Sequence, residues 1–200
     1  MPPRFRIREL GPPTWPDFQR VAEKHNGVWN GCWCVAFHLE RRTEQSPTEA
    51  KAMKERLVRA NRSHAALVYE GAAIVGWCQF GPPSELPARM GGFNKLGVPA
   101  PDWRITCFFV DRDRRKQGVA QAALAGALSM IAEQGGGTVD GYPVAVRGKP
   151  YSSSFLWSGT ESMFAEAGFE RIAALGSSKL VMRKTLGRKS RSRPRSARAS

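Results

Sequence analysis

The sequence lacks any apolar run that approaches the roughly 18–20 residues needed to span a bilayer. No hydrophobic secretory segment follows Met1, because Pro2, Pro3, Arg4 and Arg6 lead directly into mixed sequence. Only four of the 200 residues are cysteines, too few for the disulfide framework of a small secreted domain. We therefore expect a soluble cytoplasmic protein that does not associate with membranes.

The spacing of the few cysteines argues against a metal centre. Cys32 and Cys34, followed by His38, have a C-x-C spacing that differs from that of zinc sites, and no second cysteine pair follows. We expect no bound metal and interpret this segment as tryptophan-flanked packing beneath a loop, with a redox-sensitive pair as the alternative. Cys78 and Cys107 lie in predicted strands, where free cysteines usually behave as small buried apolar residues.

Acidic residues are outnumbered by basic ones, 17 to 31, which gives a formal net charge of +14. Residues 187–200 contain six Lys and Arg residues and no acidic residue, and we expect them to form a disordered tail. One hypothesis is that the tail binds RNA, DNA or another polyanion weakly and without sequence preference. The interpretation we favour is a solvated extension without a dedicated partner. The charge left on the body of the protein suits a ligand with several phosphates.

The segment from residue 103 to residue 131 carries the most chemical information. Trp103, Ile105 and Cys107 alternate with polar residues, which predicts a half-buried strand. The alternation breaks at Phe108, Phe109 and Val110, where we expect a bulge or full burial.

A charged loop, Asp111–Gln117, follows this strand and cannot belong to the core. A helical period begins at Gly118. The predicted apolar face of the helix consists of Ala120, Leu124, Ala127, Leu128 and Ile131. The loop brings Arg114, Arg115 and Lys116 to the helix N-terminus, where free N–H groups and the helix dipole favour a phosphate. The alternative is an ordinary solvated connection.

Strands and helices alternate along the rest of the chain. Helices are predicted over residues 15–25, 47–61 and 159–167, and strands over residues 5–9, 65–70, 73–80, 138–144, 169–174 and 179–184. In the second helix, Ala52, Leu57 and Ala60 are candidates for the apolar side. The long connection 81–101, rich in proline and glycine, is typical of a functional or mobile loop. This order predicts an α/β fold with a mixed sheet flanked by helices.

Two stretches, CFFVDRDRRKQGVAQAAL (107–124) and TESMFAEAGFERI (160–172), resemble the GNAT acyltransferase superfamily. Three shorter motifs, GCWCVAFH (31–38), GWCQFGP (76–82) and VDGYPV (139–144), resemble a bacterial branch of it. The resemblance implies one GNAT-like domain over residues 1–186, followed by the tail 187–200. It also implies a mixed, mostly antiparallel twisted sheet of about six to seven strands flanked by helices. The implied activity is an N-acetyltransferase that moves an acetyl group from acetyl-CoA, its co-substrate, to a primary amine.

The resemblance assigns the acetyl-CoA site to the strand, the loop and the helix start. Phe108, Phe109 and Val110 match the strand positions whose backbone holds the thioester arm. The diphosphate would meet backbone N–H groups of Arg115, Lys116, Gln117, Gly118, Val119 and Ala120. Arg114 and Lys116 are further candidates for the phosphates of the adenosine end, although long basic side chains here are just as often solvated.

The chain departs from the family at its catalytic positions. Phe164 occupies the place of the usual tyrosine acid, and Arg104 falls near the position of a glutamate base found in several members. Neither side chain can perform the expected proton transfer, so the catalytic residues are unknown. The possible substitutes are Tyr142, Asp140, Tyr151, Glu161 or water, and Tyr142 is the most attractive of these.

The acceptor is a small molecule or an exposed protein amine that the sequence does not identify. Candidates for acceptor specificity are Trp29, Asn30, Trp33, Gln79, Glu85 and Trp157, but a tryptophan-rich core explains the tryptophans better. Two other functions stay open: a catalytically silent acyl-CoA-binding module, suggested by the missing tyrosine, and a nucleic-acid-associated protein that acts through its basic tail. The sequence is compatible with a monomer or a homodimer.

Overall fold

One sheet organises the described part of the chain, which in this computed structural model comprises residues 4–40, 45–88, 92–145 and 157–188. Its strands are β1 Arg6–Glu9, β2 His64–Glu70, β3 Ala73–Gly81, β4 Trp103–Val110, β5 Gly137–Gly141, β6 Glu170–Leu175 and β7 Lys179–Leu186. They lie in the order β1-β2-β3-β4-β5-β7-β6. All neighbours are antiparallel except β4 and β5, which run parallel. The predicted α/β class and the mixed, mostly antiparallel sheet are confirmed.

The helices lie close to their predicted positions. They are α1 Trp15–Lys24, α2 Pro47–Arg59, α3 Val119–Glu133 and α4 Glu161–Glu166. None of the helices in the described ranges is long and apolar enough to cross a bilayer.

The prediction of a strand over residues 138–144 is wrong at its end, because β5 stops at Gly141. Pro143 has no N–H for a sheet ladder, and Val144 forms only isolated bridges to Thr160 and Lys179.

Helix α3 covers one face of the sheet. Leu124, Ala127 and Ile131 are buried in the core beneath it, as their spacing predicted, whereas Ala120 and Leu128 are only partly buried. Gly126 lets the helix approach the sheet closely, because a Cβ there would lie 2.6 Å from a methyl group of Ile7. The buried face is therefore shifted slightly from the predicted one.

The opposite face is covered by α1 and α2 and is rich in tryptophan. Trp15, Trp33 and Trp77 are nearly inaccessible and surround Phe18, whose ring centroid lies 4.8 Å from that of Trp77 and 6.4 Å from that of Trp33. For these residues the interpretation as a tryptophan-rich core is correct. Trp33 therefore supplies packing rather than an exposed surface for an acceptor.

Helix α2 buries a different side from the predicted one. Its buried residues are Ala50, Lys54 and Val58, whereas Ala52 and Ala60 are exposed and Leu57 is only partly buried. The buried positions have the expected helical spacing of four residues, but a lysine occupies the middle one. A prediction based on the spacing of apolar residues cannot identify a buried face that contains a lysine.

The connection between α1 and α2 contains an unusual left-handed stretch. Asn26, Val28, Trp29, Asn30, Trp33 and Cys34 all have positive φ angles, between 47° and 59°. For non-glycine residues this backbone region is costly. Burial of Val28, Trp33 and Cys34 in the core beneath α1 and α2 offsets part of that cost.

Candidate functional site

Strands β4 and β5 separate to form a fork. They pair only from Trp103 with Val139 to Ile105 with Gly141, while β4 continues as far as Val110. Over that remaining length, β4 stays paired with β3 on its other edge. Within the described residues, the edge of β4 that faces β5 is therefore without a ladder partner beyond Ile105. Backbone groups at such an edge can hydrogen-bond to a ligand.

A bulge at Thr106 sets the side-chain directions in the fork. The register with β3 shifts between Gln79 and Phe80, which face Cys107 and Ile105 respectively. Ile105 and Phe108 consequently both join the core beneath α3, while Cys107 and Phe109 join the tryptophan-rich core. Phe108 and Phe109 are thus buried on opposite faces of the sheet, which confirms the expectation of full burial for these two residues. The bulge lies earlier in the strand than the sequence suggested.

The loop after β4 ends in a left-handed residue at the helix start. Gly118 caps α3 with a φ of 83°, and Lys116 also has a positive φ, of 58°. A Cβ at Gly118 would meet no atom of the described residues within 4 Å, so these residues leave the space beside this backbone open. Arg115, Lys116 and Gln117 are exposed, Gly118 and Ala120 are partly buried, and Val119 is buried. The backbone is therefore available to an anion at the positive end of α3.

One carboxylate anchors the beginning of this loop. Asp111 is 8% exposed; its carboxylate lies 3.1 Å from Lys24 Nζ and 3.3 Å from His25 Nε2, and it accepts a hydrogen bond from Asp113 N. Burial raises the pKa of Asp111, but these hydrogen bonds outweigh burial and lower it overall. The prediction that the whole charged loop lies outside the core is wrong for Asp111, because Lys24 at the end of α1 and the adjacent His25 are partners for its carboxylate.

Arg114 is already engaged by the protein. Its Nε lies 2.5 Å from Glu70 Oε2, and the same carboxylate accepts a hydrogen bond from Arg4 Nε at 3.0 Å. Glu70 lies at the end of β2, so these contacts join the loop to the β2–β3 turn. Arg114 is thereby drawn toward Glu70 and is a weaker candidate for the phosphates than Lys116.

The sequence matches the model of the acetyltransferase (GNAT) family over residues 29–140, which is more than half of the chain. The chain belongs to the GNAT acetyltransferase family. The match includes the fork and the loop, and it begins at the left-handed stretch before α2. No curated protein matches the sequence significantly.

Solved structures share the GNAT fold at low sequence identity. A protein from Desulfovibrio desulfuricans assigned to the GNAT family is 17% identical, with a TM-score of 0.53 over 90% of this chain and 98% of that one. A GNAT acetyltransferase from Streptococcus pneumoniae is 12% identical, with a TM-score of 0.51 over 92% and 99%. An N-acetyltransferase from Staphylococcus aureus Mu50 is 13% identical, with a TM-score of 0.50 over 94% and 100%. At these identities the likeness establishes the fold alone.

Phe164 of this GNAT protein is an inaccessible core residue. Its ring packs edge-on against Phe169 and Phe108, with centroid distances of 4.9 and 6.1 Å. It also fills the space beside Gly141, where a Cβ would overlap the ring. The ring thus lies directly under the fork, where it provides packing and has no proton to donate.

The fork brings together three of the residues considered from the sequence: Arg104, Asp140 and Tyr142. Arg104 Nε donates to the Tyr142 hydroxyl at 3.2 Å, and its Nη1 donates to the carbonyl groups of Leu86 and Ala88. Burial raises the pKa of Tyr142, against the opposing effect of Arg104. The phenol is therefore neutral at physiological pH and could donate a proton.

Asp140 is fully buried and held by Arg183, whose Nε and Nη2 lie 2.6 and 2.9 Å from the two carboxylate oxygens. Burial raises its pKa more than Arg183 lowers it. The bidentate pair makes Asp140 a structural carboxylate rather than a free base. Glu161 lies in the first turn of α4, where its backbone N–H donates to the carbonyl oxygen of Val144, and Tyr151 lies outside the described residues.

A buried polar chain on the other side of the fork was missed by the sequence reasoning. Lys54 Nζ donates to Ser63 Oγ and to Gln79 Oε1, both at 2.8 Å, and Ser63 Oγ lies 3.1 Å from His38 Nε2. His38 Nδ1 lies 2.8 Å from the carbonyl oxygen of Glu85. This arrangement fixes a neutral His38, and burial lowers its pKa to about 3. In the sequence, the only signal for this buried polar chain is Lys54, a lysine on the buried side of a helix.

The remaining acceptor candidates differ in their burial and their contacts. Gln79 is buried by its contact with Lys54, and Glu85 lies 3.1 Å from His64 Nε2. Asn30 is exposed and Trp29 half-buried. Trp157 packs against Phe37, and the ammonium group of Lys179 lies over the Trp157 ring, 4.1 Å from the ring centroid.

Within the described ranges, no group of three or more His, Cys, Asp or Glu side chains is arranged to hold a metal ion.

Proposed function

We propose that this protein is an N-acetyltransferase that moves the acetyl group of acetyl-CoA to a primary amine of a small molecule or a protein. The observation that carries the proposal is the open edge of β4 beside the accessible N-terminus of α3. The first can hydrogen-bond to an extended amide-containing arm and the second to a diphosphate. Family membership supports the same pair of roles.

Backbone groups carry the proposed acetyl-CoA site. Phe108, Phe109 and Val110 present the main chain of the fork, and their large apolar side chains point away into the two cores. The N–H groups from Arg115 to Ala120 lie at the loop and the helix start. The open space beside Gly118 is where a phosphate can approach the backbone.

The reaction needs proximity more than a particular side chain. A neutral amine attacks the thioester carbonyl, the carbonyl oxygen becomes an oxyanion, and the thiolate leaves with the electrons of the broken C–S bond. Positioning the two reactants and stabilising the oxyanion with backbone N–H groups can together contribute several kcal/mol. Tyr142 is the proposed proton donor to the thiolate, because it lies next to the fork and is neutral.

We propose that the transferase domain spans residues 1–186 and that the basic segment 187–200 adds at most weak polyanion binding.

The alternative of a silent acyl-CoA-binding module is favoured by one observation, the burial of Phe164 at the position of the family's tyrosine. Release of free CoA in the presence of a panel of amines separates the two, since a silent module binds acetyl-CoA without turnover.

The test of the acetyl-CoA site uses two substitutions at one position. Gly118→Ala and Gly118→Glu both place a Cβ at a positive φ, so they share the backbone strain. Only Gly118→Glu adds a carboxylate to the proposed phosphate position. By calorimetry we expect Gly118→Glu to bind acetyl-CoA at least about 100-fold more weakly than Gly118→Ala, or about 2.8 kcal/mol. Equal affinity of the two variants would show that no phosphate binds at this turn.

A further inference from the structure

A cavity of about 410 Å³ lies between the sheet and the connection after β3. Apolar residues form most of its wall: Pro83, Leu86, Pro87, Phe93, Val98, Ala100 and Pro101. Arg104, Tyr142 and Asn94 supply its polar groups. Tyr142 packs with Leu175 and Val181 in a cluster separate from the core beneath α3. The volume and the mainly apolar lining are those of a small-molecule site.

The cavity adjoins the fork. Arg104 immediately precedes Ile105, and Tyr142 immediately follows Gly141, while Ile105 and Gly141 form the last parallel pair of β4 and β5. Both polar side chains of the inner wall therefore lie at the point where the two strands separate. A ligand in the cavity would therefore have one end at the start of the fork, on the strand that continues to the proposed thioester positions at Phe108, Phe109 and Val110.

The inner wall carries excess positive charge. Arg104 is 4% exposed, and in the described part of the chain its guanidinium hydrogen-bonds to uncharged groups, the Tyr142 hydroxyl and two carbonyl oxygens. The buried carboxylate beside it, Asp140, forms a bidentate pair with Arg183. Asp140 is thus already paired with Arg183, and no carboxylate of the described residues hydrogen-bonds to Arg104. A buried charge is costly without a counter-ion, so this wall favours an anionic group on a ligand.

We propose that this cavity is the acceptor site and that it selects a hydrophobic primary amine bearing a carboxylate, such as an apolar or aromatic amino acid. The carboxylate pairs with Arg104, the side chain packs against the prolines and Phe93, and the amine points to the fork. This inference rests on the proposed function. The N–C bond to the acetyl carbon forms as the C–S bond breaks, and the proton lost by the amine balances the proton gained by the thiolate of CoA.

The experiment compares matched acceptors with and without a carboxylate. Phenylalanine and phenethylamine differ only in that group, as do leucine and isopentylamine. The full chain is assayed by CoA release, and we expect kcat/KM to be roughly tenfold or more higher for the amino acids, the gain typical of a charge-assisted pair. In Arg104→Gln this ratio should fall to about one, because loss of the contacts with Tyr142 and the loop affects both members of each pair, whereas loss of the charge affects only the amino acid. Arg171→Gln, at an exposed position on β6, is the control and should keep the ratio.

A second variant covers the case in which Arg104→Gln does not fold, since Arg104 also holds two loop carbonyl groups. Val98→Trp fills the cavity without removing the charge, and it should raise KM for phenylalanine while acetyl-CoA affinity is unchanged. A wild-type ratio near one, or a Val98→Trp variant that acetylates phenylalanine normally, overturns the acceptor assignment alone. Calorimetry with acetyl-CoA tests the proposed function separately. If acetyl-CoA does not bind, that function fails, and calorimetry of phenylalanine with the full chain and with Val98→Trp still decides whether the cavity is a site.

Discussion

The sulfur atoms of Cys34 and Cys107 lie 3.8 Å apart in the core. Cys34 ends the left-handed stretch, and Cys107 is the β4 residue just before Phe108. This contact therefore connects the segment between α1 and α2 to the strand that forms the fork. The hydrogen bond from Cys107 lowers the pKa of Cys34 to about 7, opposed by burial and assisted by the ammonium group of Lys54.

The first prediction concerns this thiol pair. Cys107→Ala removes the hydrogen bond to the Cys34 thiolate, so the pKa of Cys34 should rise toward or above its ordinary value, because burial then acts with less opposition. Titration of thiolate absorbance in a Cys32→Ser background measures the change. Cys78→Ala, another buried cysteine in a strand, is the control and should leave the titration unchanged. An unaltered midpoint in Cys107→Ala would contradict the assigned cause.

The second prediction concerns the pH dependence of stability. The pKa of His38 is lowered to about 3 by burial, whereas an unfolded histidine has a pKa near 6.5. Above pH 6.5 both states are neutral and the stabilisation is complete. Below it, the unfolded chain binds a proton that the folded chain does not. The His38 contribution to the free energy of unfolding therefore falls by about 1.4 kcal/mol per pH unit between pH ~6.5 and ~3.

Urea denaturation of the wild type and His38→Asn measures this contribution. Between pH ~5 and ~6.5 the stability of the wild type should change by ~2 kcal/mol more than that of the variant. Parallel stability curves for the two proteins would mean that His38 is accessible to protons in the folded state.

The third prediction concerns the anchor of the loop. Asp111→Asn removes the negative charge that Lys24 and His25 face, and it should lower the free energy of unfolding by about 1–3 kcal/mol. Since Asp111 also accepts from Asp113 N and so shapes the start of the loop, the affinity for acetyl-CoA should fall as well. Asp113→Asn changes an exposed carboxylate two residues away and should do neither. If Asp111→Asn and Asp113→Asn both behave like the wild type in denaturation and calorimetry, Asp111 does not anchor the loop.

The fourth prediction concerns packing under the fork. Gly141→Ala places a methyl group into the ring of Phe164, so either the ring or the end of β5 must move. We expect a loss of about 1–3 kcal/mol in the free energy of unfolding, the usual cost of overpacking. Gly187→Ala adds the same methyl group at a position where no described residue lies within 4 Å, and it serves as the control. Equal stability of the two variants would show that the fork tolerates extra volume.

Local sequence pattern was sufficient for the elements that carry the proposed acetyl-CoA site. Alternation predicted β4, the change to a helical period predicted α3, and Gly118 marked the boundary between loop and helix. These signals are local because a strand and a helix repeat their apolar positions over a few residues. The same logic failed on α2, where Lys54 interrupts the apolar face and finds its partners, Ser63 and Gln79, on other elements.

By itself, the sequence determined the order of strands and helices, the family and the position of the strand–loop–helix unit. Only the tertiary structure decided where β4 and β5 separate, which carboxylate anchors the loop, and that Arg104 and Tyr142 line one cavity. These features depend on contacts between residues far apart in the chain, such as Arg104 with Tyr142 and Lys24 with Asp111. Local periodicity specifies which side of an element is buried, but not which distant group it meets.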